Sequence, residues 1–374
     1  MKKRNMISIL FILCVFINSQ VFSQSNKKFS VKGRVVDAKT DEPLFYADVF
    51  LANTSIGTAT DKNGEFLLEQ VPQGRYELIV SHIGYKLIKT EINLTPEEKI
   101  KVVNFKLVQE LINAPEIEVV AKRDPDWDNK LKIFTQYFLG SSKSGEQCVI
   151  NNPEVLDFQK GKDVYLTAKA DEPLIIINKY LGYKIRYILD DFYINKEGQV
   201  GFTGSAFFKE IKSKNRADSL IIARRREQTY KGSLAHFLRS VINKNVEEQG
   251  FEVDTLTASP FKEKYVDYYK VDLDTIAQCV ININEVELYL PKWIIVTYKY
   301  EYEESEIKKI LKDWKGINKN KDYQVSVLFV ENSPVICSEQ GYLFIPQSIR
   351  RYGHLAYDRM GEMLPIDYLP DEYQ

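Results

Sequence analysis

Between Val31 and Tyr85 the chain alternates apolar and polar residues in short runs, each cut off by residues that favour turns. Side chains two apart share one face of a strand, so this period predicts strands with one face in a core. Val31, Gly33, Val35 and Asp37 set the first period, and Asp41-Glu42-Pro43 ends it because proline has no N–H for a ladder. Ala47, Val49 and Leu51 form the next run, after which Gly57 and Thr58 are expected to reverse the chain. Asp61-Lys62-Asn63-Gly64 and Val71-Pro72-Gln73-Gly74 read as tight turns, with Asn63 and Gly64 suited to positive φ. Tyr76, Leu78 and Val80 point one way along the following strand, and Ile88 to Ile92 and Ile100 to Leu107 supply the last strands. Strands this short and this regularly spaced predict a small antiparallel β-sandwich over residues 24–108.

A different pattern follows. Residues 109–125 read as a linker: Ala114-Pro115 interrupts it, Ile117, Val119 and Val120 form a short extended piece, and Lys122-Arg123-Asp124-Pro125 closes it. Asp124 is placed to cap a helix, Pro125 to occupy its first position and Gly140 to end it, with Trp127, Leu131, Phe134 and Phe138 on one face. Val164 to Phe208 reads as successive strands, including the continuous apolar run Leu174–Ile177 and a hairpin turn at Asn195-Lys196-Glu197-Gly198. Ser233 can cap a second helix whose stripe is Leu234, Phe237, Leu238, Val241, Ile242 and Val246, ended by Gly250. Further strands are expected near 264–273, 278–289, 293–302, 322–330 and 334–346, before an irregular tail marked by Leu364-Pro365 and Leu369-Pro370. Residues 126–374 thus read as a β-rich α+β domain with two or three helices, and the fold class as mainly β. The Asp-Glu-Pro-Leu repeat at 41–44 and 171–174 is taken as shared turn chemistry.

The first module carries a dense set of landmarks: Gly33, Asp37, Pro43-Leu44, Ala47, Val49, Gly57-Thr58, Thr60-Asp61, Gly64, Phe66, Val71-Pro72, Gly74, Tyr76 and Ser81-His82-Ile83-Gly84-Tyr85. With them it resembles the carboxypeptidase regulatory-like domain, which implies a transthyretin-like sandwich and no activity of its own, since fold does not imply function. Phe138-Leu139-Gly140, Asp171-Glu172-Pro173-Leu174-Ile175, Leu181-Gly182-Tyr183, Gly232 to Leu238 and Gly250-Phe251 look like the C-terminal region of exported proteins that carry this module. That second resemblance implies no reaction. Glu116 to Asp124 resembles the segment following the module in many TonB-dependent outer-membrane receptors, where a partner protein captures it. A linker that adds a strand to a neighbouring sheet is the preferred reading of the same residues.

The N-terminus sharpens the location. Lys2, Lys3 and Arg4 precede an apolar stretch from Ile7 to Ile17 that is short for a bilayer span, and Val21-Phe22-Ser23 offers a cleavage site. Residues 1–23 therefore read as a signal peptide, and Leu13 before Cys14 argues against lipid attachment there. Removing them takes Lys and Arg from 51 to 48 against 52 Asp and Glu, so the formal charge moves from -1 to about -4. That balance gives no reason to expect nucleic acid as a partner. Past Ser23 no apolar run is long enough for a membrane helix. Cys148, Cys279 and Cys337 remain; export permits a disulfide, three thiols cannot all pair, and none sits in a Cys-x-x-Cys.

Candidate chemistry is sparse. A carboxypeptidase zinc site would use His-x-x-Glu, but His82, His236 and His354 are followed at the third position by Tyr85, Arg239 and Tyr357. His82 reads as a strand-end packing residue, His236 falls opposite its helix's apolar stripe and so toward solvent, and His354 lies among tyrosines. There is no Gly-x-Ser-x-Gly elbow, Walker loop or dinucleotide fingerprint, and Asp61-Lys62-Asn63-Gly64 lacks the later ligands of a calcium loop. Asp190-Asp191 and Glu303-Glu304 are read as turn or solvated-edge acids, because neighbouring strand residues face opposite ways. Arg224-Arg225-Arg226 is read as a solvated loop with some capacity for acidic glycans or phospholipid headgroups. The tyrosines at 180, 183, 187, 193, 265, 268, 269, 298, 300 and 302 could form sugar or peptide platforms, although strand propensity also places them there.

These observations point to an exported, periplasmic, outer-membrane-associated or cell-surface binding or scaffold protein without catalytic, cofactor or metal residues. Its expected partner is an envelope protein, a peptide or a glycan, with an outer-membrane protein among the candidates. An accessory role in TonB-dependent uptake is the alternative, and a hydrolase with an unrecognised site is third.

Overall fold

The computed structural model describes residues 28–110, 124–161, 164–261, 266–273, 276, 278–282, 285–311, 314, 317 and 322–370. The expected signal peptide, the linker pieces between 111 and 123 and the side chain of Cys279 lie outside the described residues. Eight strands form the N-terminal body: β1 (Lys28–Asp37), β2 (Asp48–Leu51), β3 (Gly57–Ala59), β4 (Glu65–Pro72), β5 (Gly74–Ser81), β6 (Ile88–Leu94), β7 (Ile100–Val102) and β8 (Phe105–Leu107). One sheet runs β3-β2-β5-β6 with every pair antiparallel. The other sets β4 antiparallel to β1, but β7 and β8 lie parallel to β1, so the sandwich departs from a wholly antiparallel plan at that edge. The parallel pairing follows from the crossover: β6 belongs to the opposite sheet, and the chain returns to β1 from there. Phe29, Val31, Val49, Leu51, Leu68, Leu78 and Phe105 fill the space between the sheets. Gly57 and Thr58 do not reverse the chain; they sit in β3, and the reversal lies at Asn53-Thr54-Ser55.

Helix α1 (Trp127–Leu139) opens the next body. It starts two residues later than expected, because the Asp124 carboxylate takes the Asp126 N–H at 2.9 Å and the Lys130 ammonium instead of capping the helix. Phe134 and Phe138 of α1 lie on a sheet made by β9 (Cys148–Ile150), β10 (Leu156–Gln159), β11 (Val164–Ala170), β12 (Leu174–Asn178), β13 (Tyr183–Asn195) and β14 (Val200–Glu210). The Phe134 ring meets Phe192 edge-on at 4.7 Å, an arrangement that adds to area burial.

Two helices then follow in succession, α2 (Arg216–Tyr230) and α3 (Leu234–Ile242). The last body holds β15 (Phe251–Leu256), β16 (Tyr268–Lys270), β17 (Gln278–Asn282), β18 (Glu285–Leu288), β19 (Trp293–Tyr302), helix α4 (Ser305–Leu311), β20 (Tyr323–Val330), β21 (Val335–Ser338) and β22 (Ile349–Gly353). Its main sheet is β16-β15-β19-β20-β22, and β17-β18-β21 forms a smaller one. Along β19 the period-2 rule divides the side chains: Ile294, Val296 and Tyr298 pack with α3, whereas Ile295 packs with Ile307 and Leu311 of α4. Burial on both faces explains the continuous apolar run in this strand. The described residues hold four α-helices against the two or three expected.

The sandwich is joined to the second body through its outer face. In β2 and β5, Val49, Leu51, Leu78 and Val80 point into the sandwich core, while Phe50, Ala52 and Ile79 face the other way. These three are also buried, against Leu87, Ile188 and Phe207. The Phe50 and Phe207 rings lie 5.0 Å apart. A Cβ at Gly57 would fall 2.5 Å from Cε2 of Phe207, so the ring's position requires glycine there. Ion pairs accompany this apolar contact: Lys89 with Asp190 at 2.7 Å and Arg186 with Asp48 reach the second body, and Arg75 with Glu285 at 3.4 Å reaches β18 of the last.

Asn53 is the centre of the joint. Its N–H donates to Ala206 O at 2.6 Å, and its Oδ1 accepts from Ala206 N–H at 3.0 Å. Its carbonyl accepts from Ile366 N–H at 2.8 Å, and its Nδ2 donates to the Tyr342 hydroxyl at 2.7 Å. The backbone is left-handed there (φ 60), which asparagine tolerates better than other side-chain-bearing residues. Asn53→Ala is expected to destabilise the protein by about 3 kcal/mol in urea unfolding, from an orphaned Ala206 amide, a lost Tyr342 bond and backbone strain. Asn53→Gly should recover about 1 kcal/mol of that loss by relieving the backbone alone. Equal losses for the two variants would show that the left-handed conformation contributes nothing.

Candidate functional site

An open concavity of about 1040 Å³ lies between α2 and the C-terminal segment 365–369. Leu220, Ile221 and Arg224 of α2 form one wall, Lys143 and Tyr180 the floor, and Pro365 and Asp367 part of the other wall. Asp367 is fixed by Ser55, whose N–H donates to its carboxylate at 2.8 Å, so the far wall is held by the sandwich joint.

The sequence places three arginines in a row where a solvated loop was expected, but they lie within α2, and the helix gives each a different direction. Arg226 turns inward: its guanidinium lies 4.0 Å from the Tyr183 ring centre. Its Nε donates to Leu181 O at 2.9 Å, and its Nη1 meets Glu210 at 2.5 Å. Arg225 stacks 4.3 Å over Tyr180. Arg224 is exposed and has no side-chain partner among the described residues. Two of the three thus fasten the helix by cation–π and charge-assisted contacts, and one is left facing the groove. Asn215 caps α2 through its side chain, which accepts from Asp218 N–H at 2.9 Å, an arrangement that satisfies an otherwise unpaired helical amide.

A second cleft of about 290 Å³ lies at the joint itself, lined by Arg75, Glu77, Lys89, Glu91, Tyr342 and Phe344 among others. Arg75 pairs there with Glu91 at 2.6 Å and lies 5.5 Å over Phe344, while Glu77 accepts from Ser205 at 2.9 Å. Its charges therefore serve the seam between the bodies.

The three histidines are placed as follows. His82 is half-buried, with its ring nitrogens 3.1 Å from the carbonyls of Phe45 and Ile83, a loop-pinning arrangement. His236, expected in solvent, is buried. Its Nδ1 accepts from Gly232 N–H at 3.0 Å and its Nε2 lies 2.9 Å from Gln249 Oε1, among the rings of Tyr230, Phe251 and Tyr298. The expectation failed because α3 is packed on the face opposite its stripe as well. Burial pulls the His236 pKa down to about 4, against the Gln249 bond that favours the proton.

His354 was given no partner by the sequence, yet its Nδ1 lies 2.8 Å from Glu303. Glu303 is buried rather than solvated, and also accepts the backbone N–H of Glu304 at 3.0 Å. Burial lowers the His354 pKa, but the Glu303 bond and charge, with Asp358 and Glu304, outweigh it and leave it raised. This carboxylate–imidazole pair could hold a proton at Nε2, where no nucleophilic hydroxyl or thiol is bonded among the described residues. No marker in the sequence joins residues 303 and 354, which only the pairing of β19, β20 and β22 brings together.

The remaining candidates separate. Asp190 pairs with Lys89 and Asp191 is exposed, so they share no site. Asp61 Oδ1 accepts the amides of Asn63 (2.8 Å) and Glu65 (2.9 Å), which accounts for this aspartate by the hairpin turn. Tyr183, Tyr187 and Tyr298 are buried, whereas Tyr193, Tyr269, Tyr300 and Tyr302 are exposed, with Tyr302 stacked on Tyr323 at 5.5 Å. Cys148 and Cys337 are free and buried; burial pushes both thiols up to about 12, with the Glu362 charge assisting at Cys148. Among the described residues no three His, Cys, Asp or Glu side chains are grouped to hold a metal ion.

Residues 31–119 match the model of the CarboxypepD_reg-like domain, so the chain carries that module at its N-terminal end. No curated protein matches the chain. Among solved structures, it is similar to the group B streptococcus pilus 2b backbone protein, with 13% identity over 22% of this chain and 42% of that one and a TM-score of 0.20. Catechol 1,2-dioxygenase from Acinetobacter sp. ADP1 shares 15% identity over 28% of this chain and 59% of its own, with a TM-score of 0.21. A minor pilin of Streptococcus agalactiae shares 14% over 25% and 48%, with a TM-score of 0.20. The chain spans between two fifths and three fifths of the length of these structures.

Two outcomes test the site's construction. Arg226→Ala should cost about 2 kcal/mol in thermal or urea unfolding through the loss of its stacking and charge-assisted bonds, while Arg224→Ala stays within about 0.5 kcal/mol. Because the His236 pKa is depressed to about 4 in the folded state, its contribution is complete above pH 6.5 and is lost as the pH falls toward 4. The stability difference between pH 7 and pH 4 should therefore shrink by about 3 kcal/mol in His236→Gln, measured by urea unfolding at each pH.

Proposed function

We propose that this chain is a non-enzymatic binding or scaffold protein of the cell envelope. The observation that carries this reading is the division of labour among its charged groups. Arg225, Arg226, Lys89, Arg75 and the three histidines are engaged within the chain, while Arg224 faces a wide groove. The carboxypeptidase regulatory-like module contributes a packed body rather than a reaction centre. Its β2–β5 face is covered by the second body, so the module works as part of a larger platform rather than as a loose attachment domain. The N-terminal sequence supports export, and no helix among the described residues is long and apolar enough to cross a membrane.

The test is fractionation of cells producing the full chain with a C-terminal tag, combined with assays of the purified protein on panels of peptides and glycans. The expected result is recovery in the envelope or periplasm and no turnover. Cytoplasmic recovery would sink the location, and substrate turnover would sink the non-enzymatic reading.

A further inference from the structure

α2 is an unusual helix for its length. Of its fifteen residues only Tyr230 is buried. The side facing the protein is held by Ile222, Arg225 and Arg226, with Ile222 packed over Gly182, where an added Cβ would meet its Cδ1 at 2.9 Å. The exposed side carries Arg216, Ala217, Leu220, Ile221 and Arg224, and the last three of these also form the groove's α2 wall. Arg216, Leu220 and Arg224 follow one another at four-residue spacing, a stripe about 12 Å long.

Two properties of this face belong together. Between residues 209 and 231 there are eight basic and three acidic residues, a surplus of five in a chain whose formal net charge is -1. Glu210 and Glu227 are already paired, with Arg226 and Lys231, and Asp218 sits in the first turn of α2, where the helix dipole favours an acid. Lys212, Lys214, Arg216 and Arg224 are exposed and have no side-chain partner among the described residues. Interleaved with these cations are three exposed aliphatic side chains: Leu220 at 62%, Ile221 at 49% and Ile211 at 39%. Cations alone would suit any polyanion, and aliphatics alone any apolar surface.

We propose that the outward face of α2, with the 211–216 segment leading into it, docks on an anionic phospholipid surface. Leu220, Ile221 and Ile211 enter the boundary of the acyl region, and Arg216, Arg224, Lys212 and Lys214 reach the phosphates around them. A soluble glycan offers the charge without an apolar layer, which leaves the aliphatic side chains without a role. Anionic lipid supplies both layers in the order in which the helix presents them. The inference rests on the envelope reading above and names the partner of that platform.

The test is sedimentation of the purified full chain with vesicles of phosphatidylcholine alone or of phosphatidylcholine mixed with phosphatidylglycerol. Binding is expected to the anionic vesicles only and to fall as salt is raised. Each cation near such a surface contributes about fivefold in affinity, so Arg216→Gln with Arg224→Gln should weaken binding about twenty-five-fold. Leu220→Ser with Ile221→Ser should weaken it about tenfold while leaving the exposed helix folded by circular dichroism. Lys196→Glu, in the remote β13–β14 hairpin, should bind as the parent does. Three results would overturn the proposal: no sedimentation of the folded parent, equal sedimentation with uncharged vesicles, or full binding by the serine variant with heparin competing as well as lipid. Vesicle binding by a chain that fractionates in the cytoplasm would sink the envelope reading and leave the lipid surface standing.

Discussion

Asn53 sends its N–H and its side-chain oxygen to β14, its carbonyl to the C-terminal segment and its side-chain amide to Tyr342, so one turn residue ties three parts of the chain together. Beside it lies an apolar contact, Phe50 on Phe207 with Gly57 against the ring, and Asn53 itself is buried. A bond made in such surroundings contributes modestly, whereas the same group left unmade costs its full desolvation. The joint is therefore sensitive to loss of any one member, and much depends on it. β14 is followed by α2, and Pro365 and Asp367, which flank Ile366, form part of the facing wall of the groove. The shape of the candidate site is set by how the sandwich meets β14.

The sandwich was legible because its strands alternate, and alternation is what half-buried strands produce. The same reading hid the joint. Alternation picks out Ala47, Val49 and Leu51 and gives Phe50 no role, although Phe50 and Ile79 turn Val49–Leu51 and Leu78–Val80 into unbroken apolar runs of the kind that mark strands buried on both faces. α1 and α3 were legible from their stripes. α2 was not, because it is fastened by arginine stacking on tyrosines, which leaves no apolar period in the sequence. His236 shows the complementary failure: its helix has a clear stripe, and the opposite face is buried too, through contacts with Tyr230, Phe251 and Tyr298 that no local pattern announces. The Glu303–His354 pair needs three strands in register and is a property of topology alone.

Two histidines, buried His236 and partly buried His354, titrate in opposite senses. Burial among rings depresses His236, so its neutral form belongs to the folded state. Glu303 and its acidic neighbours raise His354, so its charged form does; that contribution is full below pH 6.5 and fades as pH rises through the shifted value. The His236 shift comes from burial, against the Gln249 bond, and the His354 shift from the Glu303 bond and charge; the imidazoles are engaged by Gly232 and Gln249 in one case and by Glu303 in the other. A perturbed pKa often marks a functional site, but internal ion pairs and satisfied core histidines perturb it as strongly. Here the geometry favours that structural account for His236, whose two nitrogens are both engaged.

Arg224, Arg225 and Arg226 show how one composition yields three roles. Successive residues on a helix turn by about 100°, so a run of three cannot share an environment. Arg226 reaches carbonyls of the β12–β13 turn and a carboxylate, Arg225 covers Tyr180, and Arg224 is directed away from both. The inner two replace the apolar stripe that would otherwise fasten a helix, and guanidinium suits this because its flat face stacks while its edges donate. The consequence is a helix that buries little area, with Ile222 turned inward over Gly182 and Leu220 and Ile221 left exposed. Segments with few buried contacts open locally at lower free energy than a core does. The stability of α2 is thus open to being raised by a partner, since anything that binds its ordered form adds directly to a small local total.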